Sequence, residues 1–208
     1  MTTPTLSTTA DLLPLLPEMV LVGGAFALLI LDLFLDSQRR VVTHVLALLL
    51  LGVVLAMIAL GVGGQGTVFH GMFVRDTLAD VSKVVILAVS GLSLLYAWPY
   101  LRERKLYPGE VPVLVLLATA GMMMMVSAGN LVMVYLGLEL LALCSYGLVA
   151  LNRDDGLSSE SAIKYIVLGS LASGLLLYGM SLVYGATGTL DLAGIHAAAP
   201  QVTDTTLL

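Results

Sequence analysis

The amino-acid sequence predicts an all-α fold, a polytopic transmembrane bundle of six helices with both termini out of the cytoplasm. Three observations carry that prediction. Of 208 residues, 59% are hydrophobic and only 11% charged, against roughly 45–50% and about 25% in an average soluble domain. Apolar runs longer than about 18 residues recur, a pattern that one soluble core cannot bury, and the mean hydropathy is +1.01. Basic residues divide unevenly between alternate loops, and Lys and Arg in short loops stay on the cytoplasmic side.

The first helix spans about Leu12 to Leu35. It begins at Pro14 and Pro17, tolerated in a first turn where no N–H is needed. The second covers about Val41 to Val62 and ends in a glycine cluster; the third runs from about Leu78 to Tyr96, stopped by Trp98-Pro99-Tyr100, a belt suited to the headgroup region. The fourth is about Glu110 to Ala128, the fifth Leu131 to Leu151 and the sixth Ala162 to Tyr184. Each is long enough to cross roughly 30 Å of hydrocarbon at about 1.5 Å per residue. The loops after helices one, three and five carry Arg39, Arg40, Arg102, Arg104, Lys105 and Arg153, whereas the opposite side has only Arg75 outside the helices. That asymmetry gives the orientation. After Tyr184 the chain turns small and polar and stops at Thr205-Thr206-Leu207-Leu208.

A net charge of −5 without a basic tract excludes nucleic acid as a partner, because phosphate binding needs clustered Lys and Arg. The lipid bilayer is the expected surrounding. The single Cys144 makes neither an intrachain disulfide nor an iron–sulfur or zinc site. Met1 to Ala10 contains no Lys or Arg and lacks the charged start of a signal peptide, so the first apolar segment is expected to remain as a helix.

Glu139 is the sharpest chemical signal. It sits near the middle of the apolar fifth helix, in Tyr135-Leu136-Gly137-Leu138-Glu139-Leu140-Leu141, where a charge costs about 2.5–3.5 kcal/mol on insertion scales. At helical spacing Tyr135, Ala142 and Tyr146 share its face, which offers two phenols as hydrogen-bond partners and a small residue that leaves room for water or a neighbour. One reading is a proton-relay acid answering to a nearby cation; the other is a protonated Glu that only bonds between helices.

Lys164 lies near the start of helix six, with Glu160 four residues before it. Either its ammonium reaches into the bundle, one to two turns nearer the cytoplasm than Glu139, or the two form an ordinary surface pair. Glu110 opens helix four, where a carboxylate serves the helix dipole or proton uptake. Lys83, with Asp80 at i−3 and Asp76 at i−7, reads as a paired helix-start charge, and Asp32 and Asp36 before Arg39 and Arg40 read as structural.

Other patterns carry no chemistry. Gly61-Val62-Gly63-Gly64-Gln65-Gly66 matches G-x-G-x-x-G but follows a membrane helix without a βαβ unit. Met122 to Met125 is adaptable packing. His44, His70 and His196 offer no facing pair for a haem, and Gly169, Ser170, Ser173 and Gly174 give small-xxx-small spacings for close helix contact.

Gly109-Glu110, Gly121-Met122, Tyr135-Leu136-Gly137-Leu138-Glu139-Leu140, Ile163-Lys164-Tyr165 and Leu168-Gly169-Ser170-Leu171-Ala172-Ser173-Gly174 resemble successive signatures of subunit N of bacterial NADH:quinone oxidoreductase, respiratory complex I. The ordered match spans helices four to six; helices one to three agree in layout and more weakly in sequence. The related subunits L and M and the cation/proton antiporter proteins typically place Trp before the helix-five Glu, where this chain has Leu138.

The resemblance implies a proton channel in which Glu139 acts with Lys164, the family's helix-six lysine, and Glu110, its helix-four acid. Quinone reduction in another subunit drives it. It implies residues 1–108 as three N-terminal helices and 109–208 as the start of the first of two inverted five-helix repeats, in a family fold of about fourteen helices. The chain is accordingly expected to be C-terminally truncated. Other membrane-arm subunits are the implied partners in a hetero-oligomer of the bacterial inner membrane. No cofactor is expected in this chain; flavin, iron–sulfur clusters and quinone belong to other subunits. A cation/proton antiporter or membrane-hydrogenase subunit, and a non-transporting scaffold, are the alternatives.

Overall fold

All six apolar runs form helices: α1 (Leu16–Leu33), α2 (Val41–Ala59), α3 (Thr77–Glu103), α4 (Glu110–Val126), α5 (Leu131–Val149) and α6 (Gly156–Thr187). The computed structural model describes residues 9–35, 41–103, 109–152 and 154–201. Asp36, Arg39, Arg40, Arg104, Lys105, Arg153 and the tail at 202–208 lie outside them. Among the described residues five spans are long and apolar enough to cross a membrane, the first continuing α1 back to Leu12 through a 3-10 turn over Thr9–Leu15. α4, with 17 residues, reaches about 25 Å, the lower limit for a span.

Local chemistry sets the helix ends. Asn130 caps α5, its Oδ1 accepting from the Met133 N–H at 2.8 Å, and Asp155 caps α6 by accepting from the Ser158 N–H at 3.1 Å. Gly188, at φ +71°, closes α6 in the left-handed conformation. The expected stop at Trp98-Pro99-Tyr100 does not occur, and α3 continues through Pro99 to Glu103. Proline removes one backbone bond, a loss that membrane helices absorb.

An element absent from the sequence reading is a β-hairpin, β1 (Gly66–Val68) paired antiparallel with β2 (Phe73–Arg75). The glycine cluster after α2 is the turn that feeds it, with Gly61, Gly63 and Gly64 all at positive φ. At Gly63 a Cβ would also meet the Leu13 carbonyl oxygen at 2.3 Å. The hairpin bridges to the α4–α5 link through Phe73 and Ala128, and that link bridges to Asp191 through Asn130. A short helix α7 (Leu192–Ala198) follows α6. These segments gather at one end of the bundle, here termed the hairpin end.

The core joins α1, α2, α3 and α4, with Leu21, Leu51, Leu87 and Leu116 buried against one another. It draws on both of the segments expected from the sequence, 1–108 and 109–208. α5 joins by backbone contact, because Gly121 and Gly137 face each other and a Cβ on Gly121 would stand 2.6 Å from the Gly137 oxygen. Outermost is α6, packed on α5 along one side and exposing Ile163, Leu168, Leu171, Leu175 and Tyr178.

Candidate functional site

Glu139 projects from the middle of α5 and is half-buried. Its partner comes from α6: the Ser173 hydroxyl donates to Glu139 Oε2 at 2.7 Å, and Tyr135 Oη stands 3.0 Å from Ser173 Oγ. Serine has one proton to donate. With that proton on the carboxylate, Tyr135 donates to Ser173, and the order runs Tyr135, Ser173, Glu139. When Glu139 carries a proton the same three groups bond in the reverse order. The expectation that both phenols bond Glu139 directly is not what the structure shows: Ser173 stands between Tyr135 and the carboxyl, and Tyr146 turns to Tyr165, ring edge to face at 5.0 Å. Gly169 makes room for the Tyr146 hydroxyl, which would lie 2.0 Å from a Cβ there.

Lys164 pairs with Glu160 at 2.5 Å, the two side chains 68% and 59% exposed. Ser173 marks the level of Glu139 on α6, so Lys164 lies nine residues from it, about 13 Å toward the end opposite the hairpin. Glu110 is exposed at the first turn of α4. It precedes Gly121, which touches α5 beside Glu139, by eleven residues or about 16 Å of helix. The structure therefore places both groups on the same side of Glu139 and in contact with neither it nor Ser173.

Lys83 corrects the sequence reading. Asp80 accepts from Arg75 Nε at 2.8 Å, and Asp76 accepts from the Ala79 N–H at 2.7 Å to cap α3. Lys83 instead reaches Glu18 of α1, Nζ to Oε1 2.6 Å, with side chains 0% and 5% exposed. Burial decides the pairing, because a buried ammonium needs a counter-charge at its own depth, and Asp80 is already engaged. Asp32 accepts from the Thr43 hydroxyl of α2 at 2.7 Å.

Comparison with known proteins shows what the chain resembles. NADH-quinone oxidoreductase subunit N of Xanthomonas euvesicatoria pv. vesicatoria (strain 85-10) is 70% identical over 210 residues, covering 100% of this chain and 43% of the relative. Over its whole length the chain is similar to subunit N of NADH-quinone oxidoreductase. The subunit N of Maricaulis maris (strain MCS10) is 49% identical over 190 residues, 90% of this chain and 39% of the relative. The chain thus spans about two fifths of the length of the curated relatives it matches. The family model "NADH:quinone oxidoreductase/Mrp antiporter, TM" matches residues 128–207.

Among solved structures, a chain of Thermus thermophilus respiratory complex I with bound aureothin matches at TM-score 0.67 and 30% identity, over 85% of this chain and 38% of that one. An archaeal membrane-bound sulfane sulfur reductase matches at TM-score 0.71 and 26% identity, over 97% and 42%. The Mrp complex of Dietzia sp. DQ12-45-1b, at 18% identity and TM-score 0.70 over 93% of this chain and 22% of that one, shares the fold. With these spans and this similarity to subunit N, the chain is a multi-pass protein of the bacterial inner membrane.

Two residues of this subunit N relative escaped sequence reasoning. Ser173 carried a signal, since a hydroxyl in a small-xxx-small stretch is both a close-contact residue and a donor. Glu18 also had one, as an acid six residues inside the apolar span Leu12–Leu33, where ionisable groups are functional by default.

Proposed function

We propose that this chain contributes a proton-translocation channel to the membrane arm of NADH:quinone oxidoreductase, coupled to electron transfer from NADH to quinone in other subunits. The observation that carries it is the reversible chain Tyr135–Ser173–Glu139 between α5 and α6. An isolated membrane carboxylate is costly, but this one keeps polar partners in both protonation states. Glu139 takes a proton as nearby positive charge withdraws and releases it as that charge returns. Glu110 and Lys164 lie on the side from which protons arrive, the cytoplasmic end in the orientation set by the basic loops, and the hairpin end faces outward. Other membrane-arm subunits are the partners of the hetero-oligomer. The 26% identical sulfane sulfur reductase chain favours, as a second reading, the same channel in a related respiratory membrane complex.

The test is Glu139→Gln in the intact subunit assembled in its complex, reading protons moved per NADH oxidised in sealed vesicles. The ratio is expected to fall. A wild-type ratio would remove Glu139 from the path.

A further inference from the structure

We propose that Glu18 and Lys83 form a second proton-binding site, on α1 and α3, that exchanges its proton with the hairpin end and does not depend on Glu139. Glu18 lies six residues inside the span Leu12–Leu33, and Lys83 six residues beyond the start of α3. Each is therefore about 9 Å along its helix from the hairpin end. Their ion pair, 2.6 Å long, is buried. Yet neither Glu18 oxygen nor Lys83 Nζ makes a hydrogen bond of good geometry among the described residues.

The neighbouring pair shows what a purely structural clasp looks like. Arg75 donates from Nε to Asp80 and from Nη1 to the Val62 carbonyl at 2.7 Å, which ties the hairpin to the start of α3 and the turn after α2, and among its nitrogens Nη2 alone is buried without a hydrogen bond. Arginine, always charged and fork-shaped, suits that work; lysine changes protonation readily when buried. Glu18 and Lys83 keep lone pairs and N–H groups open, in a setting where a half-satisfied pair adds little stability.

The surroundings give this pair one open side. Deeper along the helices, Leu21 and Leu87 are buried one turn on from Glu18 and Lys83 and seal the pair in apolar packing. Toward the hairpin, Asp80 is one turn before Lys83 and its side chain is 19% exposed. The ionisable groups around Glu18 are Lys83, Arg75, whose charge acts on it, and Asp80 through Arg75. The Phe73 ring, 5.0 Å from Lys83 Nζ, provides a π face for the ammonium.

Uptake of one proton by the Glu18 carboxylate leaves a carboxylic acid beside the Lys83 ammonium and adds one positive charge, which the Phe73 ring face helps to stabilise. Release to the hairpin end restores the pair. No electron moves.

The experiment is pH-difference infrared spectroscopy on the whole assembled complex, reading the carbonyl stretch of protonated carboxyl groups. Wild type is expected to show a band that Glu18→Gln removes and Glu139→Gln leaves in place. If Glu18→Gln prevents assembly by stranding Lys83, Glu18→Leu/Lys83→Leu removes both charges and is expected to lose the same band. A spectrum unchanged in either assembled variant overturns the proposal and reduces the pair to an apolar-replaceable clasp. Because Glu139 is read by its own variant, failure there does not touch this result.

Discussion

Glu139 and Glu18 are both carboxylates inside apolar helices, yet the protein keeps them in opposite ways. Glu139 is half-buried and answered by neutral hydroxyls from α6, whereas Glu18 is buried and answered by the Lys83 ammonium from α3. Hydroxyls bond either protonation state by rotating a single O–H. An ammonium instead favours the ionised acid against the cost of burying it, and removing one partner leaves an uncompensated charge. A change at Glu139 is therefore expected to act on the proposed proton movement first, and a change at the Glu18 pair on folding as well.

The sharpest way to break the comparison is to strand one charge. Lys83→Leu is expected to destabilise the assembled subunit by about 3–5 kcal/mol, with Glu18→Leu/Lys83→Leu recovering most of that loss; thermal unfolding in detergent reads both. A single variant as stable as wild type would mean that the pair carries no buried charge. Next in size is the α4–α5 seam that holds Glu139 against α4. At Gly137 a Cβ would lie 2.7 Å from both the Gly121 oxygen and Met125 Cγ, so Gly137→Leu is expected to cost about 1–3 kcal/mol or more, again by thermal unfolding. Smaller still is Ser173→Ala, which removes the donor to Glu139. It is expected to lower protons per NADH by less than Glu139→Gln does, with Ser173→Thr restoring the ratio. If threonine fails to rescue, Ser173 acts through packing against α5 and not through its hydroxyl.

Much of the architecture was legible because membrane helices announce themselves one at a time. Runs such as Val41–Ala59 and Leu131–Val149 are apolar enough to be read alone. The hairpin was not legible, because strands of three residues are too short for a period-two pattern to stand out. The site was legible up to the edge of its own helix. Spacing along α5 found Glu139 and Tyr135, but the partner that bonds them comes from α6, 34 positions after Glu139. Lys83 failed for the same reason: Asp80 and Asp76 were its neighbours in sequence, and Glu18 lies 65 positions away. Periodicity reports which residues share a face, and only packing reports which faces meet.

Lys164 draws out the opposite lesson, since here the nearest acid in sequence is also the observed partner. An exposed i,i+4 pair contributes about 0.3–0.5 kcal/mol, so Lys164→Ala is expected to leave unfolding temperature almost unchanged. Its distance from Ser173, about 13 Å along α6, rules out direct contact with Glu139 in this arrangement but leaves its charge at the entry side of the proposed channel. If that charge helps to move the Glu139 proton, Lys164→Ala lowers protons per NADH while Glu160→Gln, which frees the ammonium, does not. Equal and wild-type ratios in both variants would confine Lys164 to the helix surface and remove it from the proposed relay.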